Sequence, residues 1–411
     1  MPASDDNPLQ LKCSIRSRRP DDTLRVAMGQ LSKLGISRVS DITRMDRLGL
    51  PVFASIRPRG LTLRVHAGKS VDPTDARVGA MLEAIEYAVA EPQRTQWKVE
   101  TLSVKDLISR WKCQFDWMDL APALGVAITK RTKVDAIACE ELAEGGAMLL
   151  PAELVFVPWK PRRNMRQIFG ASTNGLASGN SVDEAALHGL LELMERDAIS
   201  MNLPRDVSEW VAPAQLPAPF GKLAANWKKL GVELAVRFVP NCFNLPCFQA
   251  CLFQKDDNHV NLAAGHGLHV SKEIAVARAI CEAAQSRLSY IHGGRDDIVD
   301  HYRRLTEIAR TERLQAEAQE ASRWFDRSRR VSYNAISSGG AANAPIKTML
   351  DGLVTQLGQL GFRSVFRYRF PLDLQGLHVV RVIVPGLEHV HGGGRRVGPR
   401  MLKQVLGNAS H

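Results

Sequence analysis

The chain has no apolar run approaching the roughly 20 residues needed to span a bilayer, which excludes a membrane-spanning helix. Its first residues, Met1-Pro-Ala-Ser-Asp-Asp, lack the basic-then-apolar pattern of a signal peptide, and a cytoplasmic location is expected. Neither a Walker loop nor the Rossmann glycine pattern occurs, so any nucleotide must sit in another kind of fold. Aromatic residues make up only 6% and do not interleave with Lys and Arg as base-stacking surfaces do, so a nucleic-acid partner is not expected. The seven cysteines are an odd number for a secreted framework, and Cys13, Cys113, Cys139 and Cys281 are scattered. Cys242, Cys247 and Cys251 cluster without a nearby histidine and fit no common zinc pattern. Buried thiols in strands around Pro246 are expected instead.

What remains is ordinary globular composition: 411 residues, 45% apolar and 24% charged. That length carries a large core and two or three domains, or one elaborated domain. The net charge of +11, from 54 basic against 43 acidic residues, suits an anionic partner such as a nucleotide or acidic peptide, or serves solubility.

Three helix-like runs share one device, acidic or amide side chains three residues apart among apolar neighbours: Glu83 and Glu86, Glu192 and Glu195, Glu282 and Gln285. Residues i and i+3 lie on one helix face, so each Glu pair repels unless a cation stands between its members. Carboxylates among Met, Leu and Ile are costly to desolvate, and a bound cation relieves the cost. Three such helices would make an oxygen-rich site suited to Mg2+ and, through it, to ATP phosphates. The ordinary alternative is a solvated helix edge. Helix starts are signalled at Asp72-Pro73, at Asn180-Ser181 and at Ser271. Glycine-containing loops are expected at His66–Ser70 and Asn174–Asn180, where backbone N–H groups and helix N-termini attract anions.

Elsewhere, residues 1 to 20 read as a loose basic arm, and 21 to 34 as a helix. Strands are expected at 52–56, 61–65, 147–150, 154–157, 233–238, 248–253, 364–369 and 378–384. Helices are expected at 73–90, 182–199, 272–291, 300–329 and 345–360. Residues 337–344 form a hinge candidate, and 391–396 a mobile basic end. The order implies an α+β fold with mixed or antiparallel sheets and packed helices. Three regions are expected: an N-terminal arm and helix (1–50), a catalytic ATP-binding domain (51–390) and a Gly/Arg-rich tail (391–411).

The segment Gly175-Leu-Ala-Ser-Gly-Asn180-Ser-Val-Asp-Glu184 through Glu192-Leu-Met-Glu195-Arg196-Asp197 resembles the signature of YcaO-domain proteins. The runs Gly68-Lys69…Glu83-Ala-Ile-Glu86 and Arg278-Ala-Ile-Cys-Glu282-Ala-Ala-Gln285-Ser-Arg287 resemble that family's other two nucleotide-site segments, in the same order. The resemblance implies a YcaO-type fold and Mg2+-dependent activation of a peptide backbone amide by ATP. A nucleophile from the substrate then gives an azoline, and a sulfur donor gives a thioamide. The thioamide chemistry is common beside a partner called TfuA. Azoline-forming members often end in a PxPxP tail, which Val397 to His411 lacks. The opening, Gly35-Ile-Ser-Arg-Val-Ser-Asp-Ile-Thr43 before Gly49-Leu-Pro51-Val52, resembles the TfuA-associated branch. Thioamidation of a peptide or protein is therefore the first expectation. Azoline formation and a degenerate scaffold subunit are the alternatives. One departure is Gly79, where many relatives carry serine. A TfuA-like partner, a sulfur donor and a homodimer are implied by the resemblance alone.

On this basis Glu83, Glu86, Glu192, Glu195 and Glu282 are the expected Mg2+ ligands. Lys69 and Arg196 neutralise phosphate charge, arginine being suited to bidentate contact. Asn180, Ser178 and Arg278 are expected nucleotide contacts, and Gln285 and Arg287 catalytic contributors. Glu184 lies roughly 12 Å up the helix from Glu192, too far to share its ion. It either forms a capping box with Ser181 or touches the nucleotide.

Overall fold

A computed structural model describes residues 8–92, 98–111, 115–162, 165–254, 262–296, 298, 310–340, 342–390 and 396–408. Three strand–helix pairs organise it. Strand β1 (Val65–Lys69) precedes helix α1 (Pro73–Ala90), β2 (Leu176–Gly179) precedes α2 (Val182–Asn202), and β3 (Leu262–Leu268) precedes α3 (Lys272–His292). Ser181 and Ser271 cap α2 and α3 by accepting from the N–H groups of Glu184 and Ile274. The latter two helices are apolar nearly all round, and most of their residues are buried. Of the paired glutamates Glu195 is buried, and Glu83, Glu86, Glu192 and Glu282 are partly exposed.

The chain forms two compact units, and the boundary falls inside α1 between Ile85 and Glu86. One unit comprises Leu9–Ile85 with Val207–Ala342. It holds a three-stranded sheet (Arg38–Asp41, Val52–Ile56, β1) and a four-stranded sheet (Glu209–Val211, Val232–Phe238, Cys247–Gln254, β3), all antiparallel. Alanines Ala275, Ala279 and Ala283 of α3 carry little bulk, so the helix lies close on β3. Trp227 anchors the core from the helix Phe220–Lys229, and its indole N–H donates to the Leu48 carbonyl at 2.9 Å.

The other unit runs from Glu86 to Asp206 and resumes at Asn343. Its six-stranded antiparallel sheet has the order Glu100–Ser103, Lys133–Glu141, Phe366–Arg369, His378–Ile383, β2, with Ala147–Pro151 also paired to Lys133–Glu141. Helix α2 packs on β2 and on His378–Ile383, and the helix Ile346–Gln359 packs on α2. The α+β class with antiparallel sheets is as expected. Among the described residues no helix is long and apolar enough to cross a membrane.

Several local expectations are corrected. Residues Leu9–Gln10 and Ile15–Arg16 pair as a small antiparallel ribbon in place of a loose arm. The first helix ends at Met28, before a run of turns. The strand expected at 61–65 lies instead at Val65–Lys69, and in the strand expected at 154–157 Leu154 closes the 3-10 turn Ala152–Leu154. The segments read as glycine loops, His66–Ser70 and Asn174–Asn180, are largely strands, because their glycines serve close approach to a helix. Residues 399–408 of the expected tail are helical. Cys247 and Cys251 are buried in a strand, but Cys242 is exposed in a turn. Residues 391–395, 299–309 and Cys113 lie outside the described residues.

Candidate functional site

In the unit holding α3, Gly68 determines how β1 meets α1. A Cβ there would stand 2.1 Å from the Ala76 carbonyl oxygen and from the Ala80 nitrogen, so only a bare Cα fits. This approach brings the Ala67 N–H to Glu83 Oε2 at 2.7 Å. Gly265 repeats the device on β3, where a Cβ would meet the Ala283 nitrogen at 2.2 Å and the Ala279 oxygen at 2.4 Å. Lys69 Nζ, at the end of β1, donates to Glu282 Oε2 of α3 at 3.0 Å, and His266 Nδ1 lies 3.9 Å from Glu282 Oε1.

Burial pushes the Glu83 carboxyl above the ordinary carboxylate range. Arg295, the Ala67 amide and Lys69 oppose the shift, while the charge of Glu282 adds to it. Gln285, one turn after Glu282, is 9% exposed, and its Oε1 has no partner among the described residues. Arg287 is placed differently from the other members of its motif. It is buried in an ion pair with Asp46, at 2.8 Å, and also donates to Gln254 Oε1 at 2.7 Å. Arg278 is half-buried on α3.

In the other unit the same construction recurs. A Cβ on Gly179 would stand 2.6 Å from the Ala185 nitrogen, which seats the end of β2 on the first turn of α2. Ser178 Oγ donates to Glu86 Oε1 at 2.6 Å, and the Gly175 N–H donates to Glu192 Oε1 at 3.4 Å. Asn180 Nδ2 donates to both oxygens of Glu184, at 3.1 and 3.3 Å. The Glu184 N–H is capped by Ser181, as one of its two readings expects, and its carboxylate is held by Asn180. Glu195 is 2% exposed, Glu192 and Arg196 partly so. Asp197 accepts from Arg400 and from the Glu388 N–H.

One residue escaped sequence reasoning. Arg381, 1% exposed, donates to the carbonyls of Val155, Ser172 and Asn174 and so fixes the loop leading into Gly175. Burial lowers its guanidinium to about 10, against the charges of Glu192, Tyr87 and Glu86. A lone arginine inside the apolar run His378-Val-Val-Arg-Val-Ile was the available signal.

Carboxylate oxygens are the hard donors a divalent cation takes; Glu83 and Glu282 lie in one unit and Glu86, Glu192 and Glu195 in the other, strand N–H groups hold Glu83 and Glu192, and among the described residues no three His, Cys, Asp or Glu side chains gather as a metal site. Lys69 places its ammonium against Glu282 and could also balance the charge of a phosphate.

The sequence profile described as "YcaO cyclodehydratase, ATP- and Mg2+-binding" matches residues 67–388. An uncharacterized protein of Methanothermobacter thermautotrophicus is 31% identical over 94% of this chain and 98% of its own. A Rhizobium leguminosarum bv. trifolii protein, described as lying in the tfuA 3' region, is 29% identical over 96% of this chain and 94% of its own. The structure of YcaO from Methanopyrus kandleri bound with AMPPCP and Mg2+ superposes with a TM-score of 0.74 at 23% identity, covering 96% of this chain and 98% of that one.

Proposed function

The chain belongs to the YcaO family of ATP- and Mg2+-binding enzymes, and from that premise we propose that it replaces a backbone amide oxygen of a peptide or protein by sulfur. The observation that carries the ATP-dependent part is the set of oriented carboxylates: Ala67 N–H on Glu83, Ser178 on Glu86, Gly175 N–H on Glu192 and Lys69 on Glu282. The sulfur part is supported by the relative named for the tfuA 3' region, whose similarity extends over almost the whole chain.

Mg2+ neutralises the phosphates of ATP, and ATP supplies the phosphoryl group to the amide oxygen. Glu83 and Glu282 in one unit, and Glu86, Glu192 and Glu195 in the other, would provide oxygen ligands to Mg2+. Lys69 and Arg196 balance phosphate charge, and Ser178, Asn180, Glu184 and Arg278 contact the nucleotide. Gln285 offers its unpartnered Oε1 to the bound reactants. Arg287 acts through Asp46 as a positioning residue. A hydrosulfide-level donor, delivered with a TfuA-like partner, forms the carbon–sulfur bond; the carbon–oxygen bond breaks as phosphate leaves, and no redox change is required.

The test combines the purified chain, ATP, Mg2+, sulfide, a TfuA-like partner and the candidate peptide. A mass gain of about 16 Da, sulfur for oxygen, together with phosphate release, is expected from amide-oxygen phosphorylation. A loss of about 18 Da without sulfide would instead establish cyclodehydration to an azoline through the same activated amide. Neither change, with ATP bound and the correct substrate present, would leave the scaffold reading.

A further inference from the structure

Two thiols that the proposed chemistry does not use lie against one another. Cys13 sits in the turn of the Leu9–Arg16 ribbon, closed by the Leu11 N–H to the Ser14 carbonyl, and Cys281 is fully buried on α3. Their Sγ atoms are 3.7 Å apart. Ser70, the first residue after β1, donates its hydroxyl to Cys13 Sγ at 3.6 Å and accepts from the Asp72 N–H at 3.3 Å. One thiol therefore joins the ribbon, the β1–α1 connection and α3, all within one unit.

The two partners differ in what they can do. Cys13 is partly exposed on a short turn, whereas Cys281 is held by a buried helix. The Sγ atoms must close from 3.7 Å to the roughly 2.05 Å of a disulfide. The hydrogen bond with Cys281 foremost, then Ser70, the Val71 amide and the charge of Arg278, lower the Cys13 thiol to about 7 against the opposing effect of burial. A reachable thiol with thiolate character beside a buried second thiol is the arrangement of a redox sensor with its resolving partner.

We propose that Cys13 and Cys281 are a redox-responsive pair, in which a hydroperoxide oxidises Cys13 and Cys281 closes an internal disulfide. The Cys13 sulfur attacks the peroxide oxygen, the O–O bond breaks, and hydroxide or alkoxide leaves, giving a sulfenic acid. The Cys281 sulfur then attacks Cys13, the S–O bond breaks, and water leaves with the Cys281 proton. Two electrons from the two thiols reduce the peroxide, and a dithiol reductant reverses the bond. The disulfide ties the ribbon to the residue preceding Glu282 and displaces the hydrogen bond of Ser70 beside Lys69, weakening Mg-ATP binding. That consequence rests on the site reading above, while the bond itself does not.

The experiment treats the reduced full-length chain with stoichiometric hydrogen peroxide, then denatures, alkylates and maps peptides. A linked Cys13–Cys281 peptide about 2 Da lighter than the two thiol peptides, restored by dithiothreitol, is expected. Cys281→Ser should stop at a Cys13 sulfenic acid that dimedone traps. Retention of both thiols in the wild-type chain, or a bond from Cys13 to another cysteine, would overturn the proposal without reliance on any variant. The thermal shift with Mg-ATP is read on both forms. A smaller shift after oxidation is expected, and an equal shift with the bond present would overturn the coupling to nucleotide. No shift in either form would refute the nucleotide-site reading and leave the thiol pair standing.

Discussion

Alanine at Gly68 and at Gly79 should have opposite effects, although the two glycines face each other across β1 and α1. A Gly68 Cβ would lie 2.1 Å from backbone atoms of Ala76 and Ala80, against the 3.4 Å at which ordinary contact begins. Backbone cannot swing aside as a flexible side chain can, so α1 must retreat by about 1.3 Å, the difference of those distances. The Ala67 N–H to Glu83 bond, now 2.7 Å, would then open to about 4 Å and be lost. Overpacking costs roughly 1–3 kcal/mol and a hydrogen bond to a charged group roughly 1.5–3, so Gly68→Ala should destabilise by about 3–5 kcal/mol. At Gly79 the nearest atom to a new Cβ is 3.5 Å away, and replacing a mid-helix glycine by alanine should stabilise by roughly 0.5–1 kcal/mol. Urea unfolding of the two variants beside wild type measures the contrast, and the Mg-ATP thermal shift shows whether Glu83 keeps its place. A Gly68→Ala midpoint equal to that of Gly79→Ala would refute the close-approach argument.

Three further outcomes are expected. Glu83→Ala and Glu192→Ala should each abolish ATP hydrolysis while leaving circular dichroism unchanged; turnover equal to wild type would remove them from the metal site. Arg287→Ala should cost about 3–5 kcal/mol, because it strands Asp46 in the core, whereas Gln285→Ala should stay within about 1 kcal/mol yet lose turnover. Equal stability losses in urea would contradict that division of roles. His269 is held to about 3, below its usual 6.5, by burial first and then by Arg278 and Arg16, and its Nδ1 accepts the Ser271 N–H at 3.1 Å. The unfolded chain therefore binds the extra proton between those values. The His269 contribution to stability is full above about pH 6.5 and is lost as pH drops toward 3, and His269→Asn should show a shallower decline in the urea midpoint.

The three acidic helices were legible because a 3.6-residue period and local caps are short-range properties of the chain. Their observed bounds, Pro73–Ala90, Val182–Asn202 and Lys272–His292, lie close to those expected. The strands that position them were less legible. In β3, Leu-Ala-Ala-Gly-His-Gly-Leu has little β propensity, and its glycines are explained only by a helix that arrives later in the chain. The role of Arg287 depended on Asp46, 241 residues away, and that of Arg381 on carbonyls more than 200 residues earlier. Nothing periodic announces such a pair. Helix placement is written locally, while the partner of a buried charge is decided by tertiary packing.

The position of Glu83 separates what the fold needs from what the site needs. Its folded-state pKa is raised, so the carboxyl contributes stability below its unfolded value near 4.5, and that contribution is lost as pH rises through the folded value. Ionising the group is a burden on the fold. The Ala67 amide and Lys69 offset part of it, but Glu282 beside it adds a second negative charge that Lys69 must also serve. A divalent cation adds opposite charge and satisfies carboxylate oxygens together, which no further hydrogen bond from the protein would do. Glycines without side chains, at Gly68 and Gly265, hold the strands close enough for this excess of carboxylate to exist. In the unit holding α3 the close strand–helix packing at Gly68 and Gly265 thus places buried negative charge as well as filling a core.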